Sequence, residues 1–285
     1  MLKGGATSGI ISSQPDLVAM QSTTRTSPAV YALDIGVYEI GTDAQALSRT
    51  TAAWCRVDAG VSSFQELEYR GRPNGGTFVS PRGEYPCGRN LENLADLIRS
   101  DLSANRIVVL GFEAPMWLPL EHEHRPRLNL FAPRFPAEIG FAWYLQSGAA
   151  ATLKSIALGV LLRECLKQRL ERFPLATTLQ QDATARTLVL FEAFVAGRYK
   201  VANARAAQEA PNEWDAFTAA LAWGARHAGF SVPSCVNPIV LHSAGGRVGP
   251  AMSVWGTIFS EGELLGPTDC EVVAMEPVSV PREAG

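Results

Sequence analysis

Two short apolar runs in this chain each end in a carboxylate. Ala29-Val-Tyr-Ala-Leu33 is closed by Asp34, and Arg106-Ile-Val-Val-Leu-Gly-Phe112 is closed by Glu113. Runs of this length and composition read as central strands. Parallel or mixed sheets build ligand sites at the carboxyl ends of their strands, so these two acids fall where chemistry is usually done. A third acid, Asp215, opens the periodic stretch Asp215-Ala-Phe-Thr-Ala-Ala-Leu-Ala-Trp-Gly-Ala225 and would reach the others from a helix. Converging oxygen ligands suit a hard divalent ion, and a pair of such ions suits phosphodiester cleavage.

The order of elements is that of an α/β protein. Residues 1–28, rich in Ser, Thr and Gly, read as a flexible leader. Val30 to Ile35, Thr51 to Val57 and Gly76 to Ser80 read as locally connected strands, so the sheet is expected to begin antiparallel, with a turn over Gly71 to Gly76. Asn90 is placed to cap a helix from Leu91 to about Leu102, with Leu91, Leu94, Ala95, Leu97, Ile98 and Leu102 as its apolar stripe. A helix feeding the strand Ile107 to Leu110 marks a layered α/β structure. Residues 137–171 have helical character, with Ile156, Val160, Leu161, Cys165 and Leu166 offered as an apolar face. Leu188 to Phe191 is another strand, followed by Glu192. A last helix begins around Asn212 to Asp215 and ends before Gly229. Three short strands, Ile239 to His242, Ser253 to Phe259 and Cys270 to Met275, are expected beyond it. The main domain is therefore drawn over 29–230, with 231–285 as strands packed on it, because about 55 residues with few charges bury too little surface alone.

Composition narrows the function classes. With 285 residues, 47% of them hydrophobic, and a formal charge of -3, the chain reads as a globular protein with a large core and no footprint for tight nonspecific nucleic-acid binding. The five cysteines stand far apart without a CxxC pair, which argues against a zinc site or a disulfide framework and for reduced thiols in the cytoplasm. No secretory signal or membrane span is read from the sequence. The glycine-rich segments at Gly71 to Gly76 and Gly245 to Gly249 fit neither GxxxxGK[ST] nor GxGxxG, and no GxSxG elbow is present.

Taken together, Tyr31-Ala-Leu-Asp-Ile-Gly36, Gly111-Phe-Glu-Ala-Pro115 with Leu118-Pro119, Phe191-Glu-Ala-Phe194 and Asn212-Glu-Trp-Asp-Ala-Phe-Thr-Ala-Ala-Leu221 resemble the ribonuclease-H-like nucleases of the DUF429 type. The motif order is also similar to that of RuvC-type resolvases. The resemblance covers about residues 30–228. It implies a ribonuclease-H-like mixed sheet with helices on both faces and a nuclease site holding Mg²⁺ or Mn²⁺. Asp34 would be the first-strand ligand and Glu113 the fourth-strand acid, with Asp215 the carboxylate of the final helix and Glu192 at the place of a further strand-end glutamate, either a fourth ligand or an acid behind the ligands. The family tends to carry aspartate where this chain has Glu113, and often histidine where it has Asn212.

Physical chemistry adds its own expectations. Shared metal coordination requires the carboxylates of Asp34, Glu113 and Asp215 to lie within about 4–8 Å of one another. Asp34, short and set on a central strand, is the best candidate to bridge two ions. Glu213, two residues from Asp215, is expected to be a solvated or capping acid. Asn212 is a natural N-cap that could also orient a water or a phosphate. Arg125, Arg127 and Arg134, beside Trp117, Phe131 and Phe135, could grip an unpaired nucleic-acid end, although such aromatics are more often core contacts. Arg198 and Lys200 could extend that phosphate surface or simply be solvated charges. His122 and His124, alternating with Glu121 and Glu123, read as loop residues before they read as a metal cluster.

The leading reading is divalent-metal-dependent hydrolysis of a phosphodiester in a nucleic acid or nucleotide. The alternative is a non-catalytic ligand-binding or regulatory protein of the same fold. A sugar-kinase-like phosphoryl-transfer protein shares the opening Asp-x-Gly strand but lacks its second phosphate turn.

Overall fold

In the computed structural model the described residues are 27–36, 52–73, 75–119, 147–170, 174–176, 186–195, 197–201, 204–242, 251–259, 264–265 and 271–278. The expected leader, apart from Ser27 and Pro28, and the segment carrying Glu121 to Phe135 lie outside them.

The chain opens with β1 (Ala29–Asp34), β2 (Ala53–Val57), β3 (Glu68–Arg72), β4 (Gly75–Ser80) and β5 (Gly83–Gly88), whose pairings with one another are all antiparallel. Next come α1 (Leu91–Ser103), β6 (Val108–Phe112), β7 (Trp117–Pro119), α2 (Ser147–Lys167), β8 (Leu175–Ala176) and β9 (Leu188–Ala193). A 3-10 turn at Gly197–Tyr199 leads to α3 (Arg205–Glu209) and α4 (Pro211–His227). The described chain closes with β10 (Val236–His242), β11 (Ala251–Ser253), α5 (Val254–Ile258), β12 (Leu264–Leu265) and β13 (Val272–Pro277).

One mixed sheet organises these elements, in the order β10-β13-β9-β6-β1-β2-β5-β4-β3. Its centre is parallel: β1 pairs with β6, and β6 with β9. The strands after α4 extend the same sheet, β13 running parallel to β9 and β10 antiparallel to β13. Helices flank it on both sides. Alternation along each strand divides the core in two. Tyr31, Leu33, Leu110, Phe112, Leu188 and Leu190 pack on α1, α2 and α5, whereas Val30, Ala32, Val109, Val189 and Phe191 pack on α4.

Local chemistry accounts for the helix ends. Asn90 caps α1, its side-chain oxygen accepting from the amides of Glu92 at 2.7 Å and Asn93 at 3.1 Å, a cap worth about 1 kcal/mol. The stripe Leu91, Leu94, Ala95, Ile98 and Leu102 is buried, with Leu97 only partly so. Helix α4 starts two residues earlier than Asn212 would have it: Ala210 is the N-cap and Pro211 the first helical residue, where its missing N–H costs nothing. Asn212 is therefore inside the helix and not its cap.

Residues 213–224 of α4 are all buried. The sheet lies under one side, while β3, β4 and β5 carry Tyr69, Phe78 and Tyr85 to the same cluster, Phe78 meeting Trp214 and Phe217 edge-on or tilted and Tyr85 meeting Phe217 edge-on. A helix apolar nearly all round is a helix enclosed nearly all round.

Other parts of the sequence reading differ from the structure as well. The segment Gly71 to Gly76 is not a turn throughout, since Arg72 already pairs with Gly75 across a hairpin of β3 and β4. Strand β5 was not anticipated, as its Gly83, Pro86 and Gly88 disguise it. Ser253 to Phe259 is largely helix: Val254, Trp255, Ile258 and Phe259 are buried at helical spacing in α5 and just after it. On α2 the buried line is Ala151, Ser155, Leu158, Leu162 and Leu166, and Val160 of the expected face is exposed. No helix among the described residues is long and apolar enough to cross a membrane.

Candidate metal centre

Strands β1 and β6 run side by side with Leu33 opposite Phe112, and the Glu113 amide donates to the Leu33 carbonyl at 2.9 Å. Asp34 and Glu113 thus leave neighbouring parallel strands at one level. The alternation of each strand sends both side chains to the face covered by α4, the face of Ala32 and Val109. Asp215 lies one turn into α4, packed over β1 and β2. One carboxylate oxygen from each of Asp34, Glu113 and Asp215 lies within 4.8 Å of the other two. The sequence expectation of 4–8 Å is met for these three residues.

The cluster is held by its own backbone. The Asp34 Oδ1 atom accepts from the Gly36 amide at 2.8 Å, which fixes the carboxylate immediately beyond the strand. Gly36 adopts φ +48°, in the left-handed region where a side chain is disfavoured. On the α4 side, the Asp215 Oδ2 atom accepts from Lys200 Nζ. The Asp215 Oδ1 and Glu113 Oε2 atoms are buried without a hydrogen-bond partner. Leaving such atoms unpaired costs about 1–3 kcal/mol each, more when charged, so their presence marks a place built for something else.

Electrostatics point the same way. Burial pushes Asp34 up to about 7, with Asp215 and Glu213 adding to the rise and the Gly36 amide and Lys200 opposing it. Burial raises Glu113 well above the usual carboxylate range, and the neighbouring charges of Asp34 and Asp215 raise it further, with only Lys200 opposing. Asp215 is raised by burial against the pull of Lys200. Three carboxylates with one ammonium are short of positive charge. Their donors are all carboxylate oxygens, the type preferred by Mg²⁺ and Mn²⁺ over zinc or copper. Asp34, Glu113 and Asp215 therefore form a buried acidic triad suited to a hard divalent cation.

Lys200 is the residue whose place the sequence did not reveal. It follows the 3-10 turn between two buried residues, Tyr199 and Val201. Tyr199 packs edge-on against Phe194, and Trp214 Nε1 donates to the Val201 carbonyl at 2.6 Å. The lysine backbone is thus tied to the residue next to Asp215. An apolar-Lys-apolar triplet just past a buried strand is the sequence signal that could have singled it out.

Other expected site residues fall elsewhere. Glu192 is fully buried, but its neighbours Leu190 and Phe194 belong to the core on the α1 side and Phe191 and Ala193 to the α4 side, so alternation places it on the face away from the triad. Its Oε2 accepts from the Met116 amide at 2.8 Å, across the chain that leaves β6. Glu192 is thus a strand-end brace, corrected from the expected fourth ligand. Glu213 is not solvated: it is buried beneath α4, with Oε1 accepting from Arg89 Nε at 2.9 Å. Asn212 sits in the first turn of α4, near the cluster in sequence and partly exposed. Trp117 opens β7, which pairs with β11 in a separate two-stranded ribbon. Arg125 and Arg127 lie outside the described residues, as do His122 and His124.

Comparison of the chain with family models, curated proteins and solved structures returns no match in any of the three. The donors and surroundings of the site itself therefore carry the functional conclusion.

Proposed function

We propose that this protein is a Mg²⁺- or Mn²⁺-dependent phosphodiesterase, a nuclease acting on a nucleic acid or nucleotide, built on a ribonuclease-H-like fold. The observation that carries the proposal is the convergence of Asp34, Glu113 and Asp215 within 4.8 Å at the carboxyl ends of two central parallel strands. An antiparallel opening, β1 with β2, that passes into parallel pairing of β1 with β6 and β6 with β9 is the sheet this reading expects.

Asp34, Glu113 and Asp215 would hold the ion. When bound, it would supply Lewis-acid stabilisation of the charge that builds on a phosphoryl oxygen and lower the pKa of water. The chain contributes placement: Gly36 fixes Asp34, the β1–β6 ladder fixes Glu113, and α4 fixes Asp215. Enclosure under α4 lowers the local dielectric and so strengthens each of these charges toward a cation. The net charge of -3 favours a small or specially presented substrate over long duplex tracking.

One observation favours a second reading, a binding or regulatory protein without chemistry. Lys200 already meets Asp215, giving the triad part of its missing charge from within the chain. Turnover separates the two. Wild type and Asp34→Asn are assayed on single-stranded, duplex and branched DNA, on RNA and on small phosphodiesters, with Mn²⁺ and with chelator. Chelator-sensitive hydrolysis that Asp34→Asn nearly abolishes is the expected result. Equal activity in both proteins, or activity indifferent to chelator, removes the mechanism. An inactive wild type that binds Mn²⁺ favours the second reading.

A further inference from the structure

We propose that the centre takes a single divalent ion and that the Lys200 ammonium is its built-in second cation. This deepens the metal-centre reading and rests on it.

The first support is the way the donors are divided. The Asp215 carboxylate presents two oxygens with different fates: Oδ2 is bonded to Lys200 Nζ, while Oδ1 is buried without a partner. Glu113 Oε2 is likewise unpartnered. Two buried acceptors, Asp215 Oδ1 and Glu113 Oε2, are thus left open within the triad, while the ammonium holds the other oxygen of Asp215. A second ion sharing Asp215 would need the oxygen that Lys200 holds.

The second support is charge. One divalent ion and one ammonium cancel three carboxylates. Two divalent ions beside the same ammonium would leave the enclosed site with two uncompensated positive charges, and an uncompensated buried charge costs several kcal/mol even after relaxation. Displacing the lysine would remove part of that excess but would forfeit a charge-assisted hydrogen bond to a residue only 3% exposed.

The third support is that Lys200 is placed by the fold. Surface lysines normally swing through many rotamers, and exposed ion pairs contribute little. Here Tyr199 and Val201 are buried on either side, and Trp214, the residue preceding Asp215, holds the Val201 carbonyl. The side chain is 49% exposed, so its stem faces solvent while its tip reaches a buried acid. The arrangement brings a positive charge from the partly exposed turn after β9 to the buried Asp215 carboxylate.

The experiment counts ions. Full-length protein stripped with chelator is titrated with Mn²⁺ alone, bound ions being read from the loss of the free-Mn²⁺ electron paramagnetic resonance signal, for wild type, Lys200→Met and Lys200→Arg. Wild type should bind about one ion per chain, Lys200→Arg about one, and Lys200→Met about two, since removal of the ammonium frees Asp215 Oδ2 and restores the charge deficit. Circular dichroism confirms that each variant is folded. Two ions in wild type, or a single ion in folded Lys200→Met, overturns the inference while the metal centre stands. No specific Mn²⁺ in wild type overturns the metal centre itself, and this inference with it.

Discussion

The Glu113 amide donates to the Leu33 carbonyl at 2.9 Å, one residue before Asp34, so the last rung between β1 and β6 sets the level from which two of the three triad acids depart. Anything that tilts β6 against β1 therefore reaches the centre directly. Gly111 is the sensitive point. It lies two residues before Glu113 on the same face, and a Cβ there would stand 2.2 Å from Phe191 Cζ. Phe191 is itself buried, so its ring has little freedom to withdraw. Gly111→Ala should destabilise the fold by about 1–3 kcal/mol through overpacking and weaken Mn²⁺ binding as well. Urea denaturation and Mn²⁺ titration of the same variant measure the two effects, and an unchanged midpoint would show that β9 yields freely.

The ion-free centre makes stability depend on pH in an unusual sense. Asp34 is raised from 3.8 to about 7, so the native state keeps a proton that the unfolded chain gives up. For such a group the stability contribution is full below the unfolded value and is lost as pH rises through the folded value. Chelator-treated wild type should therefore lose stability between pH 4 and 7, by up to about 4 kcal/mol for the Asp34 shift taken alone. Asp34→Asn should flatten that slope. Mn²⁺ at about a hundred times its Kd should add about 2.7 kcal/mol to wild type near neutral pH and little to Asp34→Asn. Thermal melts over this range, with and without Mn²⁺, test all three statements.

The opposite pH sense is expected at Asp101 on α1. Its carboxylate accepts from Tyr31 Oη at 2.5 Å, Arg56 Nε at 2.8 Å and Arg106 Nη1 at 3.1 Å, joining α1 to β1 and β2. Burial alone would raise it, but the hydrogen bonds from Arg56 and Tyr31 outweigh burial and hold it below its usual range. Its contribution is present above the ordinary carboxylate value and disappears as pH falls through the lowered one. Asp101→Asn should cost about 3 kcal/mol near neutrality, where Arg56 and Arg106 each lose one of two acidic partners and keep Asp58, and less in acid. Urea midpoints of the two proteins should differ near pH 7 and draw together near pH 3.

Much of this centre could be read from the chain because strand ends are visible in sequence. Asp34 and Glu113 each close an apolar run, and Asp215 opens a helix of regular spacing. Helix α1 was legible for the same kind of reason, its stripe and its Asn90 cap being local features. The facing of Glu192 was not, since β9 is buried on both sides and shows no polar alternation to say which way a residue points. Strands β3 and β5 were hidden by composition: the first is mostly exposed and charged, and the second carries two glycines and a proline. In Val254 to Phe259 the helical spacing was present, but a run so short is ambiguous between strand and helix. The apolar-Lys-apolar triplet marks Lys200 but not its partner, since its pairing with Asp215 depends on how the turn after β9 packs on α4, a long-range contact.

The buried pair of Glu213 and Arg89 links the antiparallel half of the sheet to the helix that carries Asp215. Glu213 is 1% exposed, and its Oε1 receives Arg89 Nε at 2.9 Å while its Oε2 has no partner. Arg89 itself is 42% exposed, so water screens part of the attraction, and the pair is worth less than a fully enclosed one. What matters is the acid left behind. Arg89→Met would strand a carboxylate under α4 beside Cys55 and Cys87, and removing one partner of a buried pair costs more than the pair contributes. We expect a loss of about 2 kcal/mol, below the 3–5 kcal/mol of a dry pair because of that exposure. Adding Glu213→Gln to Arg89→Met should recover part of the loss, since a neutral amide tolerates enclosure better than an unpaired charge. A double-mutant cycle by urea denaturation measures this coupling, and strictly additive single-variant losses would show that Glu213 does not depend on Arg89. Because Glu213 and Asp215 share one turn of α4, Arg89→Met should also weaken Mn²⁺ binding without removing any ligand. That second readout separates an effect on helix placement from a loss of stability alone.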